Sequence, residues 1–164
     1  MWKKKKKALI IYNPVAGAKS WRLKPTPALV QDILKKNHYE CRWFETQKTD
    51  RQPLDKLFEK KYHRIIAIGG DGTVGEVASF MAEHKIKTPL VVIPQGTGNI
   101  LAKGLMIPEL SRRWALNYGL KHQGRPIDMM RVNQNYHALL SAGVGYDTYL
   151  MEKTTRPLKR QIGV

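Results

Sequence analysis

Two short apolar runs each break off into a glycine-rich turn, and this pattern most narrows the folds open to the chain. Arg64-Ile65-Ile66-Ala67-Ile68 leads into Gly69-Gly70-Asp71-Gly72-Thr73, and Leu90-Val91-Val92-Ile93 leads into Pro94-Gln95-Gly96-Thr97-Gly98-Asn99. A helical pattern follows each turn directly. Two such turns leaving parallel strands on one sheet edge place bare backbone N–H groups and helix N-termini around a single crevice, a geometry suited to phosphate. Asp71 stands among those donors, which is odd for an anion site unless a cation binds too.

Strand-like segments fall at about 7–12, 40–46, 64–69 and 89–94, with helical patterns between them. The first helix has Thr26 as its N-cap, Pro27 in its first turn, and an apolar stripe of Leu29, Val30, Ile33 and Leu34. A shorter helix is expected over Leu54 to Lys61. A third starts at Thr73 with Val74, Val77, Ala78 and Met81 on one face. Alternating β and α units of this kind imply a parallel sheet with helices on both faces. A further helix is expected from Glu109 to Tyr118, with Leu110, Trp114 and Tyr118 on one side and Trp114, like Trp43, assigned to the core.

The pattern changes near residue 125. Gly124-Arg125-Pro126 is a break, and Ile127 to Asn133 followed by Tyr136 to Ala142 reads as a β-hairpin turning at Asn133-Gln134-Asn135. Residues 1–124 are therefore expected to form an α/β domain, and 125–164 the first strands of a β-rich domain cut short. A chain of 164 residues can bury one good core.

Net charge narrows the partners. Twenty-nine Lys and Arg against thirteen Asp and Glu leave +16, which points to an anionic partner or surface. One cysteine, Cys41, excludes an internal disulfide and suggests a reducing cytoplasmic compartment. No apolar run approaches the roughly 20 residues of a spanning helix. Lys3 to Lys7 followed by Ala8 to Tyr12 reads as a first strand with a basic flank rather than a leader.

Each motif also has a plain reading. Gly70-Asp71-Gly72-Thr73-Val74-Gly75 formally fits a G-x-G-x-x-G dinucleotide turn, but the next strand ends in Pro94-Gln95 with no acid for a ribose. A phosphate-loop lysine motif at Ala18-Lys19-Ser20 fails because Asn13 and Ala18 stand where glycine is required. The turn at Gly69 to Thr73 could simply be a capping box of Thr73 and Glu76, with Asp71 solvated. That leaves unexplained the second glycine turn and the similar Asn13-Pro14-Val15-Ala16-Gly17 after the first strand. The five histidines show no metal-ligand spacing.

Asn-Pro-x-x-Gly from Asn13, Gly-Gly-Asp-Gly-Thr-x-x-Glu-Val from Gly69 and Pro-x-Gly-Thr-Gly-Asn from Pro94 together resemble the catalytic domain of diacylglycerol kinases, sphingosine kinases and related bacterial lipid kinases. Ile127-Asp128 to Val132-Asn133 and Ala142 to Gly145 resemble the opening strands of that family's second domain. The resemblance implies that Asn13, Pro14, Val15, Ala16 and Gly17, together with Gly70, Asp71, Gly72, Thr73, Gly75 and Glu76, hold ATP. It places Gly96, Thr97, Gly98 and Asn99 beside the phosphates and Thr46 at the end of the second strand. Asp71 is the implied catalytic and Mg²⁺-binding acid, with Asp128 as a second metal candidate whose plain reading is a turn cap.

Two positions depart from the family's pattern: Gly75 stands where asparagine is frequent, and Ile100 where many members carry an acid. The Asp-Gly-Glu segment that supplies the family's base does not occur after Val132. The resemblance thus implies a kinase acting on a lipid hydroxyl, of which this chain alone is expected to be inactive. A soluble-nucleotide kinase of the NAD kinase type and a non-catalytic nucleotide-binding module are the alternatives. An anionic membrane surface is the expected peripheral partner, met by basic residues such as Lys19, Arg22, Lys35, Lys36, Arg112, Arg113 and Lys159, with Trp21 at headgroup level. Nucleic acid is not expected, for want of a recognition motif or stacking platform.

Overall fold

In the computed structural model, residues 5–17, 27–46, 56–58, 60–107, 109, 111–134, 136–143 and 145–153 are described. The elements run β1 (Lys6–Tyr12), α1 (Pro27–Lys36), β2 (Tyr39–Glu45), β3 (Arg64–Gly69), α2 (Asp71–Glu83), β4 (Leu90–Pro94), α3 (Ile100–Gly104), α4 (Arg112–Lys121), β5 (Met130–Val132), β6 (Tyr136–Ala138) and α5 (Tyr146–Lys153). The first four strands form one parallel sheet in the order β2-β1-β3-β4. The register brings Tyr12 opposite Glu45 and Ile68, and Gly69 opposite Pro94. All four strand ends therefore reach the same edge of the sheet.

Strand periodicity divides the core into two layers. Ala8, Ile10, Ile66, Ile68, Val91 and Ile93 face Val30, Ile33 and Leu34 of α1 and Leu116 and Leu120 of α4. Leu9, Ile11, Ile65, Ala67 and Val92 face Val74 and Val77 of α2 and Leu57. The sheet is covered on both sides, as the alternating pattern requires. The chain has an α/β fold, with a small antiparallel sheet after the parallel one.

Glycine brings α4 close. A Cβ on Gly119 would lie 2.4 Å from Val91 Cγ1, so only hydrogen lets the helix sit at this depth. Arg64 secures its end, donating to the carbonyls of Gly119 and His122, each at 3.1 Å.

Several expectations shift. The helix expected from Thr73 begins at Asp71, with Gly70 as N-cap and no side-chain capping bond, so Thr73 and Glu76 form no capping box. The helix expected from Glu109 begins at Arg112, because Ser111 accepts the Trp114 N–H at 3.3 Å and ends the turn there. That start buries Ala115, Leu116 and Leu120 and turns Trp114 outward, 48% exposed, rather than into the core. Trp43 does pack inward, edge-on to Tyr12 at 6.2 Å. The hairpin is shorter than its sequence pattern, and Asn133 and Gln134 make its turn with φ of 48° and 62°. It lies against α2, where Ser79 Oγ donates to the His137 carbonyl at 2.8 Å. Thr26 and Asn135 lie outside the described residues, as do 54, 55 and 59; among the described residues of the region expected to span 54–61, residues 56–58 are helical and 60–61 are not. Among the described residues, no helix is long and apolar enough to cross a membrane.

Candidate active site

Three turns follow neighbouring strands β1, β3 and β4, and a short set of hydrogen bonds ties them into one ledge. Asn13 starts the first: its N–H donates to Ile68 O at 2.9 Å, and its Oδ1 accepts the Val15 N–H at 3.1 Å, closing an Asx turn. Its Nδ2 crosses to Thr73 Oγ1 at 3.0 Å, joining the β1 turn to the first turn of α2. Thr46 sits beside them at the end of β2, its N–H on Tyr12 O at 2.9 Å.

The third turn is locked to both others. Gln95 is 1% exposed; its N–H donates to Gly69 O at 2.7 Å and its Nε2 to Ala16 O at 3.1 Å. Gly17, at φ +62°, passes so close that a Cβ there would sit 2.4 Å from Gln95 O. Asn99 occupies the left-handed region at φ 48° and ψ 43°, and its amide closes the loop with bonds to Gly96 N–H (2.7 Å) and Gly96 O (2.9 Å). Gly70 and Gly96 meet backbone to backbone, since a Cβ on Gly96 would lie 2.5 Å from Gly70 Cα.

Asp71 is not simply solvated. Its Oδ2 accepts the Ile100 N–H at 3.0 Å and its Oδ1 the Leu101 N–H at 3.1 Å, so it caps α3 from the first turn of α2. A carboxylate offers about four lone-pair sites, and these bonds leave two of them for a cation. Nothing printed in the sequence marks this pairing, which spans 29 residues.

Donors and space for an anion are both present. The first intrahelical bond of α2 runs from Val74 N–H to Gly70 O, so the N–H groups of Asp71, Gly72 and Thr73 have no acceptor within the helix. A Cβ on Gly72 or Gly75 would meet nothing within 4 Å. The N–H row, the open glycine face and a carboxylate with free lone pairs fit a phosphate chain with its Mg²⁺. Thr97 is exposed at the tip of the third turn. A cavity of about 280 Å³ beside Tyr62 and Thr88 lies away from the ledge, at the opposite edge of the sheet.

Asp128 is exposed ahead of β5, and among the described residues no bond joins it to Asp71 and no group of three His, Cys, Asp or Glu could hold a metal. Lys19, Trp21, Arg22 and Lys159 lie outside the described residues. Arg112, expected on the basic surface, turns inward to donate to Pro94 O at 3.3 Å. Burial pushes its guanidinium below the ordinary value, with Glu109 opposing. Gln95 is the site-building residue that the pattern alone passed over. The signal for it was a polar side chain wedged between a strand-ending proline and a glycine.

The chain is similar to known proteins over most of its length. Residues 7–132 match the family model of the diacylglycerol kinase catalytic domain. Proteins named diacylglycerol kinase from Staphylococcus aureus strains RF122 / ET3-1 and MRSA252 are each 33% identical over 161 residues, covering 97% of this chain and 50% of theirs. A crystal structure of a diacylglycerol kinase from Bacillus anthracis strain Sterne superposes with a TM-score of 0.60 at 27% identity, over 78% of this chain and 44% of that one. A further solved structure from the same strain reaches 0.67 at 27% identity, over 82% and 45%. The chain thus spans about half the length of the curated relatives it matches. By its sequence over these residues and by its fold, this chain belongs to the diacylglycerol kinase catalytic domain family.

Proposed function

We propose that the chain carries the ATP-binding part of a lipid kinase that transfers the γ-phosphoryl group of ATP to a lipid hydroxyl, as in diacylglycerol kinases. The observation that carries this reading is the junction of Asp71 with the N–H groups of Ile100 and Leu101, beside the N–H groups of Gly72 and Thr73, which have no acceptor within the helix. In this reading Asn13 to Gly17 and Gly70 to Glu76 line the nucleotide, Gly72 and Thr73 N–H donate to phosphate oxygens, and Thr97 presents its hydroxyl beside them. Thr46, Gly96, Gly98 and Asn99 complete the wall. Mg²⁺ held at Asp71, with Asp128 as a candidate second ligand, supplies charge screening of the β- and γ-oxygens.

Residues 1–124 form the nucleotide domain and 125–164 begin a second, β-rich domain that serves the lipid. The acceptor hydroxyl needs a base within hydrogen-bond reach. This chain has no Asp-Gly-Glu segment after Val132, so the isolated chain binds nucleotide without turnover. The protein works in the cytoplasm, reaching its substrate at the membrane surface.

Titrating the chain with Mg·ATP tests the site: the amide resonances of Gly72 and Thr97 are expected to move, and their indifference overturns the reading. Phosphoryl transfer is then assayed with the full-length gene product, offering diacylglycerol in mixed micelles and NAD in parallel. Turnover of NAD alone selects a soluble-nucleotide kinase. ATP affinity without transfer to either selects a non-catalytic module.

A further inference from the structure

The outer face of α4 carries an aromatic ladder. Trp114, Tyr118 and His122, four residues apart, stack with ring centroids 4.9 Å and 3.9 Å apart and planes 16° and 19° from parallel. Trp114 is 48% exposed and Tyr118 46%, although the same helix buries Ala115, Leu116 and Leu120 against the sheet. The helix is therefore well seated, and its rings face solvent because the core is already filled on the other side. Exposed contiguous aromatic surface of this kind marks an interaction site.

Charge around the ladder is predominantly basic, with Glu109 and Asp128 at its ends and Asp32 on α1. Residues 110–127 contain Arg112, Arg113, Lys121 and Arg125 and no acid. Arg112 is turned inward to Pro94 O, which leaves Arg113, Lys121 and Arg125 exposed. Helix α1 packs alongside, joined by Asn37 Nδ2 to Asn117 Oδ1 at 3.5 Å, and adds exposed Lys35 and Lys36. The facing acid there, Asp32, is bonded to Lys36 Nζ at 2.8 Å. Trp and Tyr sit well at the headgroup level of a bilayer, and cations beside them gain from anionic lipid.

We infer that α4 is the element by which the protein lies on an anionic bilayer, Trp114 and Tyr118 entering the headgroup layer between Arg113 and Lys121. This rests on the lipid-kinase reading and adds the surface that delivers it. The geometry suits the chemistry, because α4 begins under the third turn, where Arg112 holds Pro94 O. A bilayer along α4 thus brings the catalytic ledge to headgroup level.

The test is co-sedimentation of the whole 164-residue chain with vesicles of phosphatidylcholine containing about one third phosphatidylglycerol, where cationic proteins gain from anionic lipid. Trp114→Ala with Tyr118→Ala is expected to weaken binding roughly tenfold or more. Arg113→Gln with Lys121→Gln should cost roughly fivefold per charge and abolish the preference over pure phosphatidylcholine. Trp114→Phe, which keeps the packing, should bind nearly normally but lose the Trp114 share of the bromolipid quenching expected of the parent chain. Unchanged vesicle binding by the double aromatic variant overturns the docking face and leaves the kinase reading standing. Mg·ATP titration of the same variants separates the two, since its failure in the parent chain sinks the kinase reading instead. Concentration-dependent dimerisation abolished by Trp114→Ala, with vesicle binding intact, assigns the ladder to a second copy and also overturns it.

Discussion

The carboxylate of Asp71 caps a helix to which it does not belong, with Oδ2 on the Ile100 N–H at 3.0 Å and Oδ1 on the Leu101 N–H at 3.1 Å. One side chain thereby joins two strand-exit turns and holds a negative charge at the mouth of the N–H row on α2. At position 100 only the backbone is used, so isoleucine, 62% exposed, serves the junction as well as an acid could.

Asp71→Asn should both loosen the fold and weaken the site. The amide keeps one acceptor and turns an NH₂ toward the other N–H, so one charge-assisted bond is lost at about 2 kcal/mol. Calorimetry is expected to show the lower Tm, and Mg·ATP titration a loss of Mg-dependent affinity beyond what the Tm change explains. Unchanged affinity would remove Asp71 from the site.

Glycines of the ledge should divide into two kinds. Gly75→Ala places its methyl in open space within α2 and should stabilise by about 0.5–1 kcal/mol. Gly96→Ala would place a Cβ 2.5 Å from Gly70 Cα and 2.9 Å from Asn99 Oδ1. It should destabilise by about 1–3 kcal/mol. Denaturant midpoints check the signs. If Gly75→Ala also weakens ATP binding, its open face is where nucleotide passes.

Gln95→Leu separates site order from stability. Gln95 Oε1 is buried without a hydrogen-bond partner, so the leucine relieves that orphan while forfeiting the bond to Ala16 O. The net change is expected to be small, about 1 kcal/mol or less. Hydrogen exchange at Val15 and Ala16 should nonetheless quicken. Protection equal to the parent chain would show that the β1 turn holds itself.

Asp32 on α1 titrates below the ordinary carboxylate range, chiefly through its hydrogen bond to Lys36. A depressed folded value means the pair contributes above the unfolded value, and its contribution fades as pH falls through the folded one. Both side chains are exposed, so the effect should shrink at high salt. Carboxyl NMR titration checks it: Lys36→Met is expected to return Asp32 toward its ordinary value.

Local chemistry decided what could be read from the chain directly. Apolar runs ending in glycine located β3 and β4 almost to the residue, and the stripe of Val30, Ile33 and Leu34 located the buried face of α1. The turn at Asn133 followed from a residue type that tolerates positive φ. These features depend on a few neighbouring residues, so the sequence displays them. It also displayed the family, because three turns in fixed order are local patterns repeated along the chain.

Tertiary structure decided what the parts do to one another. The exposure of Trp114 depended on Ser111 setting where α4 begins and on which face Gly119 could press against Val91. Gln95 became a tie only because β1 and β4 flank β3, bringing Ala16 within reach of a residue 79 positions away. Asp71 met Ile100 and Leu101 for the same reason, across the ends of β3 and β4. Hydrogen bonds that close such distances depend on strand order and helix depth, which the whole core sets at once, so no window of sequence contains them.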